Sequence, residues 1–313
     1  MKIRQIYENS VKKLQDDDEK YILTEMAIAH VLKKDRLYVK MNMDDEVGQK
    51  QQEEINNVIA SLSLGKPIHY ITGKRDFMGF DFCVSGDVLI PRSDTEILVQ
   101  EALQSIKSGK IIKKTGNSVE KMSEIGEKTD RISKAAVKNS KRNNKIRGLE
   151  IGSGSGIISI SLLKNLPYLT MTAVDLSDSA VELTAKNAVE LSVYDRIDVI
   201  KSDIYEKIDG LYDFIISNPP YIRTDDIQRL DRKIREHEPV MALDGKKDGL
   251  YFYKKIIEGA KDYLSKNGMV FFEIGFDQAK DVSKILQKNG FSDIKITKDL
   301  SGLERAVTAF FSK

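Results

Sequence analysis

The sequence predicts an α/β protein in which a mainly parallel sheet, covered by helices, follows a small N-terminal helical domain. From Arg147 onward, short apolar strands alternate with amphipathic helices, which is the order that builds a parallel sheet. Residues 1–75 instead carry apolar positions at helical spacing. The 313 residues are 41% hydrophobic and 31% charged, which suits about two domains with a sizeable core.

The composition excludes several classes of protein. A single cysteine, Cys83, rules out a disulfide framework and a cysteine-rich zinc site. His30, His69 and His237 lack metal-ligand spacing, so we expect no bound metal. The N-terminus lacks a signal-peptide pattern, and no apolar run approaches the roughly 20 residues of a membrane span. We therefore expect a cytoplasmic protein without membrane contact.

Two segments precede the predicted sheet domain. Residues 1–75 form the helical domain, and Gly65 and Pro67 end its helical pattern. Residues 76–92 predict a β-hairpin linker. The aromatic residues at 77, 80 and 82 fit one strand, residues 85–87 form a turn, and residues 88–90 fit the returning strand.

The predicted sheet domain, residues 93–313, opens with a helix. Ser93 and Glu96 form a capping box at its start. The helix carries its apolar residues on one face: Ile97, Leu98, Ala102, Leu103 and Ile106. Further helices are predicted at 157–166, 177–191, 250–264 and 277–288, and strands at 148–151, 170–174, 197–200, 214–217, 269–274, 294–296 and 306–310.

A basic segment, residues 107–147, interrupts this domain. Between residues 105 and 147 the net charge is +9, against +2 for the whole chain. The segment lacks aromatic residues and cannot form a core of its own, so we expect a solvated, mobile insertion with a short helix among residues 119–132. The alternative is a basic arm that contacts RNA or another polyanion.

The first candidate site is the glycine-rich turn Gly152-Ser153-Gly154-Ser155-Gly156, which follows a strand and opens a helix. Glycine lacks the Cβ that would keep a ligand from the backbone. The pattern is not the GxGxxG dinucleotide fingerprint, and such turns also occur for purely structural reasons. Ligand binding and a structural turn both explain this motif alone.

Acidic residues end the next two strands. Asp175 follows the second strand, where a carboxylate accepts hydrogen bonds from ribose hydroxyls; the alternative is a cap for the following helix. Asp203 and Ile204 follow the third strand. They suit an adenine amino group and ring respectively, or form an ordinary turn. Together with the glycine turn, Asp175 favours a nucleoside ligand and argues against NADP.

The sharpest motif is Asn218-Pro219-Pro220-Tyr221, directly after the fourth strand. Two prolines cannot continue a central strand, and they leave nearby carbonyls without a local donor. With the Asn218 side chain they form a rigid set of acceptors beside an aromatic ring, suited to a planar NH2 group. In an open α/β sheet this motif and the glycine turn meet if their strands are neighbours.

These motifs resemble S-adenosylmethionine-dependent methyltransferases, and more narrowly the release factor glutamine N5-methyltransferase family. The resemblance covers nearly the whole chain outside 107–147. Beyond the glycine turn, Asp175 and 218–222, it includes Tyr253 and the segments 67–73, 89–96, 237–239, 242–245, 248–250, 272–275 and 298–302. Ser93, Asp94 and Ser153 depart mildly from the family pattern, which usually has Pro, Glu and Thr there.

The resemblance implies a Rossmann-like, seven-stranded methyltransferase sheet and an N-terminal substrate-recognition domain. It implies S-adenosylmethionine as cofactor, held by residues 152–156, Asp175, Asp203, Ile204 and Asn218. The implied substrate is the glutamine in the Gly-Gly-Gln motif of peptide chain release factors.

For the reaction, the resemblance implies that Asn218 and the Pro219 carbonyl accept the two amide hydrogens, while Tyr221 packs on the amide beside Pro220. Positioning for in-line transfer supplies much of the acceleration, and the sequence offers no strong general base. Arg92 and Glu96 border the pocket or form a salt-bridged helix start.

Two other functions fit parts of the sequence. A nucleic-acid adenine N6-methyltransferase would use the same Asn-Pro-Pro-Tyr motif on a flipped base, with residues 107–147 as a DNA-binding arm. The acidic body of the chain and the lack of an aromatic-bearing basic recognition domain argue against it. The third hypothesis is a noncatalytic RNA- or ribosome-associated module. It is disfavoured by the intact glycine turn, Asp175 and Asn218.

Overall fold

The structure, a computed structural model, describes residues 1–111 and 146–311. Two compact units divide the chain. The first comprises Met1–Arg75, Cys83–Ile90 and Asp226–Val240, and the second comprises Asp76–Phe82, Pro91–Asp225 and Met241–Lys313. The predicted insertion lies mostly outside the described residues, and so does the short helix expected within it.

The first unit is helical, as its spacing predicts. Its main helices are α1 (Ile3–Lys13), α2 (Lys20–Leu32), α3 (Arg36–Met41), α4 (Gln49–Ser63) and α5 (Ile68–Thr72). Their apolar faces share one core, centred on Ile28, Ile55 and Ile59. The prediction that Pro67 ends the helical pattern is wrong, because Pro67 directly precedes α5 and its fixed φ suits a helix start.

The hairpin is shorter than predicted. It pairs β1 (Lys74–Phe77) with β2 (Phe80–Cys83), and residues 88–90 do not form a strand. The turn lies at Met78 and Gly79, both with positive φ, which is the geometry of a two-residue hairpin turn. Methionine is uncommon at a left-handed position, so the sequence did not indicate a turn at Met78. Residues 85–87 are typical of turns, and the turn was therefore predicted there.

The second unit contains a seven-stranded sheet, as the resemblance implies. Its strands are β3 (Ile146–Ile151), β4 (Leu169–Asp175), β5 (Ile197–Lys201), β6 (Tyr212–Ser217), β7 (Leu264–Glu273), β8 (Phe291–Lys298) and β9 (Glu304–Phe311). The strand order is β5-β4-β3-β6-β7-β9-β8, with β9 antiparallel to both of its neighbours and the other pairings parallel.

Helices cover both faces of this sheet, as the two separate apolar clusters against it show. They are α6 (Thr95–Lys107), α7 (Ile157–Asn165), α8 (Asp178–Glu190), α10 (Tyr251–Tyr263) and α11 (Ala279–Lys288). Helix α9 (Arg232–His237) belongs to the first unit. The alternation predicted from the sequence is confirmed, with shifts of a few residues at most element ends.

The predicted capping box at the start of α6 is wrong. The helix begins at Thr95 after Asp94, and the Glu96 carboxylate accepts the backbone N–H of Met78 at 3.1 Å instead. The hairpin turn competes for this side chain, and sequence spacing alone does not show that. The predicted apolar face of α6 is largely correct, because Leu98, Ala102 and Leu103 are buried.

The basic segment is also shorter than its composition indicates. Ile111 is buried in the core of the second unit, and Ile146 and Arg147 already belong to β3. Within the part of the chain that the structure describes, no helix is both long enough and apolar enough to cross a membrane.

Candidate active site

The strand order reverses beside β3, which places the two sharpest motifs next to each other. The chain builds β3, β4 and β5 outward in one direction and then returns to place β6 on the other side of β3. Ile151 pairs with Ser217, and the buried Ser217 hydroxyl donates to the Ile151 carbonyl at 2.7 Å. The glycine turn and Asn218 therefore start from adjacent strand ends, where open α/β sheets bind ligands.

The backbone of the glycine turn requires glycine at three positions. Gly152, Gly154 and Gly156 have φ values of +77°, +56° and +79°. A Cβ added to Gly152 or Gly154 would meet nothing within 4 Å, whereas one on Gly156 would meet Ile160 and Thr184 at 2.9 Å. The first two glycines leave open space in front of the turn, and the third lets α7 and α8 pack closely.

The two serines of the turn are buried and face the protein. The Ser153 hydroxyl accepts a hydrogen bond from Thr184 at 3.2 Å, and the Ser155 carbonyl accepts one from Asn187 at 2.8 Å. Both donors lie on α8. These contacts hold the turn in shape, so any ligand contact at Ser153 and Ser155 would come from the backbone.

Asp175 joins the glycine turn to the following helix. One carboxylate oxygen accepts from Gly154 N at 2.9 Å and the other from Ser177 N at 3.0 Å. Ser177, not Asp175, caps α8. Each carboxylate oxygen has a second lone pair, so Asp175 keeps acceptor capacity at the edge of the turn.

Asp203 and Ile204 follow β5 on the same edge of the sheet. Ser202 N, just before them, donates to the Asp175 carbonyl at 2.9 Å, which ties this segment to the end of β4. Asp203 is exposed, and Ile204 has a φ of +49° and packs partly buried against the core. The left-handed turn thus leaves the Asp203 side chain exposed directly after the strand.

The Asn-Pro-Pro-Tyr motif is held in place by segments that follow it. Ile222 exchanges backbone hydrogen bonds with Leu243 and Gly245 at 3.0 and 2.8 Å. A Cβ on Gly245 would come within 2.8 Å of the Pro220 carbonyl oxygen. Gln278 donates to the Tyr221 carbonyl at 2.9 Å. The backbone of the motif is therefore rigid on its protein side.

The Asn218 side chain has a defined orientation. Its Nδ2 donates to the Thr95 hydroxyl at 3.3 Å, and Thr95 is 1% exposed. The amide nitrogen points to the first residue of α6, which makes Oδ1 the opposite, accepting end of the amide. Among the described residues, none donates a hydrogen bond to the Pro219 carbonyl.

Two buried carboxyl groups lie near these motifs, one on either side. Burial raises the pKa of Glu150, in β3, to about 8 although Ser159 donates to it from both N and Oγ. Burial raises the pKa of Glu273, at the end of β7, to about 7 although hydrogen bonding from Thr95 and Asn218 lowers it. One oxygen of each carboxyl has no partner among the described residues.

Tyr221 packs against the apolar cluster that lines one face of the sheet. Burial raises the pKa of its hydroxyl well above the ordinary value, and the nearby Glu273 charge raises it further. The charges of Arg305 and Arg92 lower the same pKa to a smaller extent than burial raises it. Tyr221 is therefore a neutral, half-buried aromatic side chain rather than a proton acceptor.

The residues around the glycine turn suit a nucleoside carrying a positive charge. The space in front of Gly152 and Gly154 is open, Asp175 retains acceptor capacity, and one oxygen of buried Glu150 lacks a described partner. The Asp175 carboxylate favours a cation, and a sulfonium nucleoside such as S-adenosylmethionine is one. No group of three or more His, Cys, Asp or Glu within residues 1–111 and 146–311 could hold a metal ion.

Three residues at the site were not assigned a role from the sequence. Thr95, Glu273 and Gln278 contact or adjoin the Asn-Pro-Pro-Tyr motif, but they lie far from it in the chain. A charged residue directly after the apolar run 269–272 was the available signal for Glu273. We find no local signal for Thr95 or Gln278.

Two family models match the chain. The methyltransferase small domain matches residues 126–236, and the PrmC N-terminal domain matches residues 5–73. The first match includes the glycine turn and the Asn-Pro-Pro-Tyr motif, and the second covers most of the helical unit.

Curated relatives match over most of their length. The release factor glutamine methyltransferase of Agrobacterium fabrum is 37% identical over 86% of this chain and 82% of its own length. The enzyme of the same name from Clostridium acetobutylicum is 31% identical over 99% of this chain and 98% of its own length.

A solved structure shares the fold. The hMettl16 catalytic domain in complex with MAT2A 3′UTR hairpin 6 has a TM-score of 0.53 and 15% identity, covering 82% of both chains. At this level of identity the similarity extends to the architecture of the sheet and its helices.

Proposed function

The chain belongs to the release factor glutamine methyltransferase family, and from this premise we propose its reaction and its site. We infer that it transfers a methyl group from S-adenosylmethionine to the side-chain amide nitrogen of the glutamine in the Gly-Gly-Gln motif of release factors. The site assignment rests on one observation. The open glycine turn follows the end of β3, and the oriented Asn218 amide follows the end of the neighbouring strand β6. A cofactor methyl group and a planar NH2 group can therefore meet there.

The glycine turn, Asp175, Asp203 and Ile204 are proposed to hold the cofactor. The backbone at residues 152–156 lines its methionine part, and Asp175 accepts from the ribose hydroxyls. Asp203 and Ile204 take the adenine amino group and ring. When bound, S-adenosylmethionine supplies an electrophilic methyl group on a positively charged sulfur.

Asn218, Pro219 and Tyr221 are proposed to hold the substrate amide. An amide nitrogen is a poor nucleophile because its lone pair is shared with the carbonyl. Asn218 Oδ1 and the Pro219 carbonyl accept its two hydrogens, orient the nitrogen and favour positive charge on it. Tyr221 packs on the flat amide, and the surplus proton leaves after transfer. The helical first unit is proposed to contact the release factor.

Methyl-labelled S-adenosylmethionine tests this proposal directly. We expect label on the Gly-Gly-Gln glutamine of a purified release factor, mapped by mass spectrometry, and none on duplex DNA in a parallel reaction. Label on adenine with a clean release factor would instead establish a nucleic-acid adenine methyltransferase. Absence of cofactor binding would point to a noncatalytic module.

The variant Asn218→Ala tests the role of the amide acceptor. We expect its kcat to fall by about 100-fold or more, as for loss of a preorganised polar contact to a transition state, with little change in cofactor Kd. Asn165→Ala, at the exposed end of α7, is the matched control and should keep wild-type turnover. Equal losses of kcat and cofactor affinity in Asn218→Ala would contradict the assigned role.

A further inference from the structure

Glu273 is brought beside Asn218 by the pairing of β6 with β7. Ser217 pairs with Phe272 in parallel register, so the next residues, Asn218 just after β6 and Glu273 at the end of β7, lie side by side. Glu273 is 2% exposed, and its backbone carbonyl accepts from the Tyr253 hydroxyl at 2.8 Å. A buried carboxyl group therefore neighbours the proposed substrate-binding amide.

Thr95 connects these two side chains. Its hydroxyl accepts from Asn218 Nδ2 at 3.3 Å, which leaves its own single proton to donate elsewhere. The Glu273 carboxyl is close enough for hydrogen bonding by both Thr95 and Asn218 to lower its pKa. Thr95 and Asn218 are therefore the two side chains placed to donate to Glu273.

Two charged residues near the Glu273 carboxyl shift its pKa in opposite directions. Asp94, before α6, raises its pKa, and Arg305, on β9, lowers it. Arg305 itself pairs with Asp94 at 3.2 Å and with Asp299 at 2.8 Å. The neighbouring Tyr221 hydroxyl has a raised pKa and stays neutral at physiological pH. Glu273 is the group here that changes charge near neutral pH.

We propose that Glu273 is a positioning residue, whose carboxylate, aided by the Thr95 hydroxyl, holds Asn218 Nδ2 and thereby presents Oδ1 to the substrate NH2. This rests on the proposed function of Asn218. Without an acceptor behind it, the Asn218 amide could rotate by half a turn and present its NH2 to the substrate NH2, donor against donor. A charged acceptor on Nδ2 also polarises the amide and makes Oδ1 a stronger acceptor.

Three variants separate this role from a structural one. Glu273→Gln keeps the shape of the side chain but removes its charge and supplies a competing NH2 donor. Thr95→Val removes the bridging hydroxyl, and Thr95→Ser restores it. Glu101→Gln is the matched control, because Glu101 is also a buried carboxyl of this unit but bonds Lys295 and Thr297 instead.

We expect kcat to fall by about 10- to 100-fold in Glu273→Gln and less in Thr95→Val, with near wild-type turnover in Thr95→Ser and Glu101→Gln. Cofactor Kd should stay close to wild type in all four, and thermal unfolding should stay close to wild type in the three variants at Glu273 and Thr95. Because the carboxylate is the active form, wild-type kcat should rise with pH through about 7, and Glu273→Gln should lose that rise.

Wild-type kcat and an unchanged pH profile in Glu273→Gln would overturn the proposal. So would a loss in Glu273→Gln that is matched by weaker cofactor binding and lower thermal stability, because that pattern marks a structural role. Wild-type protein that fails to label any Gly-Gly-Gln glutamine would refute the proposed function itself. That result is separate, because the variant comparison requires an active wild type.

Discussion

Glu150 and Glu273 have pKa values raised by burial to about 8 and about 7. Removal from water disfavours the charged form, and the hydrogen bonds that each carboxyl receives compensate only in part. Both groups lie at the carboxyl ends of central strands, where a bound cation would offset the cost of burying their charge. Perturbed carboxyls at this edge of the sheet are consistent with a functional site.

Glu150 should make stability depend on pH. Its pKa in the folded state, about 8, lies above the unfolded value of 4.5. Its contribution to stability is therefore complete below the unfolded value and is lost as the pH rises through about 8. Relative to Glu150→Gln, the wild-type free energy of unfolding should fall by a few kcal/mol, as an order of magnitude, over this interval. Urea unfolding of both proteins at several pH values measures the difference; parallel pH curves would contradict it.

At the level of elements, the glycine turn between β3 and α7 needs glycine for two reasons, open space and close packing. The sequence pattern alone does not distinguish them. Gly152 and Gly154 face open space, whereas Gly156 is packed against side chains of α7 and α8. All three have positive φ, which disfavours any other residue. The turn therefore has one part that faces open space and one part that packs against helices.

Alanine substitutions should separate these two parts. Gly152→Ala adds only backbone strain, about 1–2 kcal/mol of unfolding free energy, and should also weaken cofactor binding. Gly156→Ala adds the same strain and a Cβ at 2.9 Å from two side chains, for a total of about 2–5 kcal/mol. Chemical denaturation and cofactor titration of both variants check this ranking. Equal destabilisation would show that the Gly156 contact relaxes freely.

At the level of the whole molecule, distant parts of the chain meet in the second unit. Glu101 on α6 accepts from Lys295 on β8 at 2.7 Å and from Thr297 at 3.0 Å. The carboxyl side chain is 9% exposed and that of Lys295 is 51% exposed. The contact ties the first helix of this unit to β8.

Removing the lysine should be costly because it leaves the buried carboxyl with one fewer charged partner. We expect Lys295→Ala to lower the free energy of unfolding by about 1.5–3 kcal/mol, typical of a hydrogen bond to a charged group. Lys284→Ala, which breaks the exposed pair with Asp281, should cost about 0–1 kcal/mol. Urea denaturation measures the free energy of unfolding of both variants. A similar small loss of stability in both would show that water replaces Lys295.

Much of the fold and part of the site could be predicted from local patterns. The alternating apolar strands and amphipathic helices of residues 148–310 predicted the sheet, because burial on both faces leaves a strong local signal. The glycine turn and Asn218 were expected to adjoin each other if β3 and β6 pair, and they do. The hairpin return strand and the Ser93 capping box were wrong, because the Met78-Gly79 turn and its bond to Glu96 are set by packing.

By itself the sequence determined the fold class, the family resemblance and the residues proposed to meet cofactor and substrate, since each rests on contiguous motifs. Only the tertiary structure decided which side chains contact and orient those residues from the protein side. Thr95 and Asn218 are 123 positions apart, and Gln278 reaches Tyr221 across 57. Glu273 lies beside Asn218 only because β6 and β7 pair in one register. Such contacts depend on strand register and helix packing, which leave no periodic trace in the chain.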